Sequence, residues 1–176
     1  MEMLNSKQIL DNRDEIIALL RSTKRQGIEN VLSYLDKSGF YEAPSSIDGH
    51  HNWRGGLAEH CLGVCRIALE NGHALPLDSL IVTAVLHDIC KASKLYYDEK
   101  GDIQHRNTYI RGHGYRSVWL LDYLGLELTS DERLVIRWHM GGPNVKKDEL
   151  QELCRAKSTE LWRVIHQADI LDASGG

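Results

Sequence analysis

The sequence predicts an all-α protein, and three observations lead there. Apolar residues recur at three- and four-residue spacing along most of the 176 positions, the period of a helix with one buried face. Residues that cap or stop helices, among them Ser6, Gly39, Gly72 and Ser130, stand at the ends of those periodic runs. Over 95–110 the pattern changes, with tyrosines on both sides of Asp-Glu-Lys-Gly-Asp.

Ser6 is placed to cap a first helix, whose Ile9, Ile16, Leu19 and Leu20 share a stripe. A second helix is predicted over 28–38, stopping at Gly39. The segment YEAPSSIDGHHNWRGG is turn-rich and reads as a loop. A third helix is predicted over 57–71, closed by Gly72; Pro76 and Asp78 introduce a fourth that ends near Ala92. Within 95–110, Lys100-Gly101-Asp102 suits the centre of a short β-hairpin. Helices resume after Gly112, after Ser130, around Asp148 and after Ser158. With no repeat or linker, one compact domain is expected, its 1–46 helices packing on a core formed by 47–176.

Apolar and charged fractions of 42% and 26% are those of an ordinary globular protein. No stretch of about 18 apolar residues occurs, so no membrane partner is expected. The opening MEMLNSKQILDNRDE puts acids where a secretory signal needs apolar residues, and a cytoplasmic location is expected. Cys61, Cys65, Cys90 and Cys154 show no CxxC spacing and read as reduced thiols rather than zinc ligands or a disulfide. A net charge of −4 argues against broad nucleic-acid binding, so long nucleic acid is not an expected partner. A small nucleotide gripped by local cations stays open.

Six residues stand out as candidate metal ligands: His60, His87, Asp88, His113, His139 and Asp169. Steps of 26 to 30 residues lead from His60 to His87, His113, His139 and Asp169. Each step is about one helix and its connection, so each ligand comes from a different helix, as in metal sites built inside bundles. The local faces agree: His60 shares a stripe with Leu57, Cys61 and Val64, Asp88 with Ile81, Ala84 and Val85, and Asp169 with Trp162 and Ile165. Buried carboxylates need a cation, and a metal supplies one. Taken singly, each histidine also suits a core or surface role, and each aspartate a cap or salt bridge. The residues alone leave that open.

The stretches GGLAEHCLGV, AVLHDICKAS, RGHGYRSVWLL, VIRWHMGG and HQADILDA, in that order, resemble the HD-domain superfamily of metal-dependent phosphohydrolases. The resemblance spans about residues 47–173 and is carried by a His, an adjacent His-Asp pair, two further His and a final Asp. It implies an HD-domain helical bundle, into which the hairpin expected near 95–110 would be inserted. It also implies two divalent transition-metal ions, of iron, manganese or zinc. His60, His87, Asp88 and Asp169 would hold one; His113 and His139 the second, with Asp88 bridging. The implied activity is hydrolysis of a phosphate ester of a nucleotide or other small phosphorylated molecule by a hydroxide held between the ions.

Asp88 and Lys91 are the candidate catalytic residues, Lys91 following His87 by four positions. In this superfamily a lysine here often contacts a substrate anion; a helix-end charge is the other reading. His51, Arg54, Arg111 and Arg116 are further candidates for gripping phosphate, since arginine's fork matches phosphate oxygens. His166, one turn before Asp169, suits a partner of a ligand or a structural histidine, and Tyr96, Tyr97 and Tyr109 suit pocket walls or ordinary packing. Two rival functions use the same ligands: a diiron oxygenase of the myo-inositol oxygenase type, and a domain that senses a nucleotide without cleaving it. Exoribonucleases with a similar GGL-EH motif add a separate RNA-binding domain, for which this chain has no room.

Overall fold

The computed structural model describes residues 4–105, 112–142 and 145–175, and among them eight α-helices and one two-stranded hairpin form the fold. α1 (Ser6–Ser22) is capped by Asn5, one residue before the expected Ser6. The Asn5 side chain accepts the Gln8 N–H at 3.0 Å, and the Gln8 side chain accepts the Asn5 N–H at 2.9 Å. α2 (Ile28–Ser38) follows Gly27, where φ is +87° and a Cβ would overlap the Gly125 carbonyl, so only glycine fits.

α3 (Gly56–Asn71) lies at the centre, packed on α1, α4 (Leu77–Leu86) and α8 (Glu160–Gly175). Leu57, Cys61, Val64, Cys65 and Ala68 form its buried stripe. Cys61, Cys65 and Cys90 are buried free thiols, and Cys154 is exposed. α4 is buried on all sides from Ser79 to Leu86, so it runs through the core.

α4 does not continue to Ala92 as the periodicity predicts. It ends at Leu86; Asp88 leaves the helical region at φ −111°, ψ 16°, and Ile89–Lys91 forms a single 3₁₀ turn. Ile89 and Cys90 are buried all the same, which keeps the apolar pattern running through a break it does not reveal. The hairpin follows: β1 (Leu95–Tyr97) pairs antiparallel with β2 (Ile103–His105), Leu95 opposite His105. The Asp98 carboxylate accepts the Lys100 and Asp102 N–H groups at 2.9 and 3.0 Å, tying the turn. Residues 106–110 of the expected hairpin, with Tyr109, lie outside the described residues.

α5 (His113–Tyr123), α6 (Ser130–Trp138) and α7 (Leu150–Ser158) complete the set. Thr129, not Ser130, caps α6, in a second reciprocal box with Glu132. The Glu132 side chain is fully buried and also takes Arg25 (2.7 Å) and the Ser79 hydroxyl (2.6 Å). Arg25 in turn holds Asp78 at 2.7 Å. No helix among the described residues is long and apolar enough to cross a membrane.

Candidate metal centre

All six candidate ligands are described, and the fold brings them together. His60 sits in the middle of α3 and Asp169 in α8; His87 is the residue after α4, His113 opens α5, and His139 follows α6. The break after α4 matters here. Neighbours in a regular helix point about 100° apart, yet His87 Nε2 and Asp88 Oδ2 are 3.4 Å from each other.

Asp88 is the hub. Its Oδ2 lies 3.4 Å from His87 Nε2 and 3.9 Å from His60 Nε2. Its Oδ1 lies 3.6 Å from His139 Nε2 and 3.7 Å from His113 Nε2. Asp169 Oδ1 closes the first side, 3.2 Å from His60 Nε2 and 3.9 Å from His87 Nε2. Three of the groupings compact enough to hold an ion are His60–His87–Asp88, His87–His139–Asp169 and Asp88–His113–His139.

The other ring nitrogens fix the tautomers. His87 Nδ1 donates to the Ala84 carbonyl and His139 Nδ1 to the Ile136 carbonyl, each at 2.7 Å. Carbonyls only accept, so in each neutral ring Nε2 carries the lone pair, facing inward. His60 Nδ1 is 2.7 Å from Asp172 Oδ2. Burial, followed by the nearby His87, pushes the His139 imidazole down to about 3, so it stays neutral. Burial also lowers His113. Asp88 is held well below the usual carboxylate range: burial would raise it, but Lys91 and then His87 outweigh that.

These residues fit a metal on their chemistry. His60 Nε2, His87 Nε2, Asp88 Oδ1, His113 Nε2 and His139 Nε2 are all buried and lack a hydrogen-bond partner. Buried polar atoms are normally satisfied, and these five converge on one point with no hydrogen-bond partner among the described residues. Nitrogen and oxygen donors without sulfur suit iron, zinc or manganese.

Lys91 Nζ is 2.6 Å from Asp88 Oδ2. Burial would lower its pKa, but Asp88 raises it, so the ammonium is retained. His51 lies against the cluster but is engaged by Asp172 (3.0 Å) and Glu59 (3.3 Å). Arg54 is drawn off to Glu42 at 3.0 Å on the surface, and Arg116 is buried near Cys90. Arg111 lies outside the described residues. His166 supports the site from behind, its Nδ1 donating to the His139 carbonyl at 2.5 Å. Sequence reasoning did not single out Asp172, three positions after Asp169 and so on the same face of α8. A cavity of about 700 Å³ opens beside His113 and His139, walled by Tyr115, Arg137, Met140 and Lys146.

The chain is 36% identical over 80 residues to a dihydroneopterin 2',3'-cyclic phosphate phosphodiesterase of Methanocaldococcus jannaschii, covering 41% of this chain and 32% of that one. It is 25% identical over 178 residues to the 3'-5' exoribonuclease YhaM of Listeria welshimeri and to that of Listeria monocytogenes, covering 97% of this chain and 55% of each relative. The chain thus spans about half the length, or less, of the curated relatives it matches. No solved structure gives a significant match. The model of the HD domain matches residues 57–174, and the chain belongs to the HD domain family.

Proposed function

We propose that the protein is a metal-dependent phosphohydrolase that cleaves a phosphate ester of a nucleotide or other small phosphorylated molecule. One observation carries the reading: the two oxygens of Asp88 face different pairs of orphaned imidazoles. A carboxylate so placed suits two cations. His60, His87, Asp88 and Asp169 would hold one, and Asp88, His113 and His139 the other. Bound divalent ions supply Lewis acidity, which acidifies water and offsets phosphate charge.

The chain's own residues supply the rest. His87 and His139, locked by Ala84 and Ile136, hold their lone pairs in fixed directions, so little reorganisation is needed on binding. Lys91 keeps a positive charge beside Asp88, where it complements the oxygens of a phosphoryl group in transfer. The cavity at His113 and His139 gives the ester's remaining part a place to sit. Both relatives are named for reactions on phosphodiesters, which favours a diester. The test panel therefore runs from cyclic nucleotides to short RNA.

Manganese-loaded protein is expected to release phosphate or a phosphorylated fragment from a member of that panel, at equal rates with and without air. Activity confined to the iron form, with uptake of dioxygen, would overturn hydrolysis in favour of an oxygenase. Tight nucleotide binding without turnover in any metal form would make the protein a sensor.

A further inference from the structure

Asp172 meets two imidazoles on a single oxygen: Oδ2 is hydrogen-bonded to His60 Nδ1 at 2.7 Å and lies within ion-pair distance of His51 Nε2, at 3.0 Å. Room for it is made on α3, where a Cβ at Gly63 would overlap the carboxylate. The other partner is held just as deliberately. His51 has a left-handed backbone at φ +50°, a conformation that non-glycine residues adopt at a cost. Its carbonyl accepts the Ser45 N–H at 2.9 Å, and a Cβ on Gly56 would overlap that carbonyl. Its Nδ1 meets Glu59 Oε2 at 3.3 Å, and the Trp53 indole N–H donates to the same oxygen at 2.7 Å.

A chain of contacts thus runs from Trp53 through Glu59, His51 and Asp172 to His60. His60 is completely buried, with its Nε2 aimed at Asp88 and Asp169. Its Nδ1 meets a carboxylate, where His87 and His139 meet only backbone carbonyls. A carboxylate accepts more strongly than a carbonyl, and it makes the ring a better electron donor at its far nitrogen.

We infer that Asp172 is a positioning residue of the metal centre. It fixes the His60 tautomer and ring orientation, and His51 acts through it rather than by gripping substrate. The inference rests on the metal-binding reading proposed above. It also accounts for Gly56 of the GGLAEH segment and for Gly63: they allow His51 and the Asp172 carboxylate to approach.

The test is titration of metal-free wild type and Asp172→Asn with cobalt(II) chloride against a competing chelator, read by visible absorption. The variant keeps the side-chain shape and loses the charge. Its cobalt affinity is expected to fall by about 10- to 100-fold, the usual cost of losing such a partner, and its absorption band to shift. Affinity and spectrum equal to wild type would overturn the inference, because a salt bridge that only ties α3 to α8 would change stability and leave both alone. Nitrogen NMR of the wild type needs no variant: the His60 proton is expected on Nδ1, with and without zinc, and a proton on Nε2 overturns the inference. Wild-type protein that takes up no cobalt would overturn the metal reading itself, a result distinct from a wild type that binds and a variant that binds equally well.

Discussion

α4 and α6 run side by side in the same direction, between two buried polar clusters that are finished in opposite ways. At their N-terminal ends, Arg25 joins Asp78 of α4 to Glu132 of α6, and the Glu132 oxygens also receive Ser79 and Thr129. At their C-terminal ends, the His87 and His139 rings meet at a centroid distance of 4.7 Å, with Nε2 orphaned on each. The helix dipoles match both arrangements, since N-termini favour the acids and C-termini favour a cation. A finished polar cluster is a device of stability. An unfinished one is what the proposed metal ions would complete.

Breaking the finished end should have the largest effect on folding. Arg25→Ala leaves Glu132 buried without its counter-charge, a loss of about 3–5 kcal/mol for pairs of this kind. Denaturant unfolding would measure it, with metal affinity expected to match wild type. A parallel fall in metal affinity would show that the two ends are coupled and blunt the contrast. The same end should respond to acid. Burial would raise the Glu132 pKa, but hydrogen bonds from Arg25 and Ser79 bring it below the usual range. A depressed folded value means the contribution is complete above the unfolded glutamate pKa of about 4.3 and is lost as pH falls through the lower folded value. Wild type should therefore weaken on acidification below about pH 4.3, and Glu132→Gln should show a shallower dependence there.

The unfinished end should gain what the other end already has when metal is added. A ligand bound only by the folded state, at 100 times its dissociation constant, stabilises by about 2.7 kcal/mol. Loaded wild type is expected to melt above chelator-treated protein, and Asp88→Asn should abolish the difference. Equal melting temperatures for loaded and stripped wild type would put the orphaned atoms down to packing alone.

The two ends were not equally readable from sequence. The gathering of the six candidate ligands was, because the segments that carry them, with His87 and Asp88 adjacent, recur at steps of 26 to 30 residues. The closing of α4 at Leu86 was hidden, because Ile89 and Cys90 stay buried in the 3₁₀ turn. The caps were displaced by one residue at Ser6 and Ser130, where two capping types adjoin. Only Asn5 and Thr129 have a Gln or Glu three positions on, and that reciprocal partner decides. Asp172 and the Arg25 cluster join residues 53 to 112 positions apart, and no local period records such pairs. Arg54 pairs with Glu42 and Arg116 is buried near Cys90, and neither placement is recorded in their positions along the sequence.

Lys91 gives the smallest and most discriminating effect, because it belongs to both descriptions. With no metal bound, its ammonium on Asp88 Oδ2 is a cationic partner that makes this end resemble the other. Removing it should then leave a buried carboxylate without compensation, and metal-free Lys91→Ala should melt below metal-free wild type. With metal bound, the ions neutralise Asp88, so the loaded variant should melt close to loaded wild type. What remains missing is a positive charge on the substrate. Turnover by the loaded variant should fall by about tenfold, equivalent to ~1.4 kcal/mol of transition-state stabilisation. Melting curves of the four protein forms, alongside kcat for the two loaded ones, separate the roles. If the loaded variant lost stability and kept full turnover, Lys91 would belong with Arg25 as a structural cation, and the contrast between the two ends would narrow to the imidazoles.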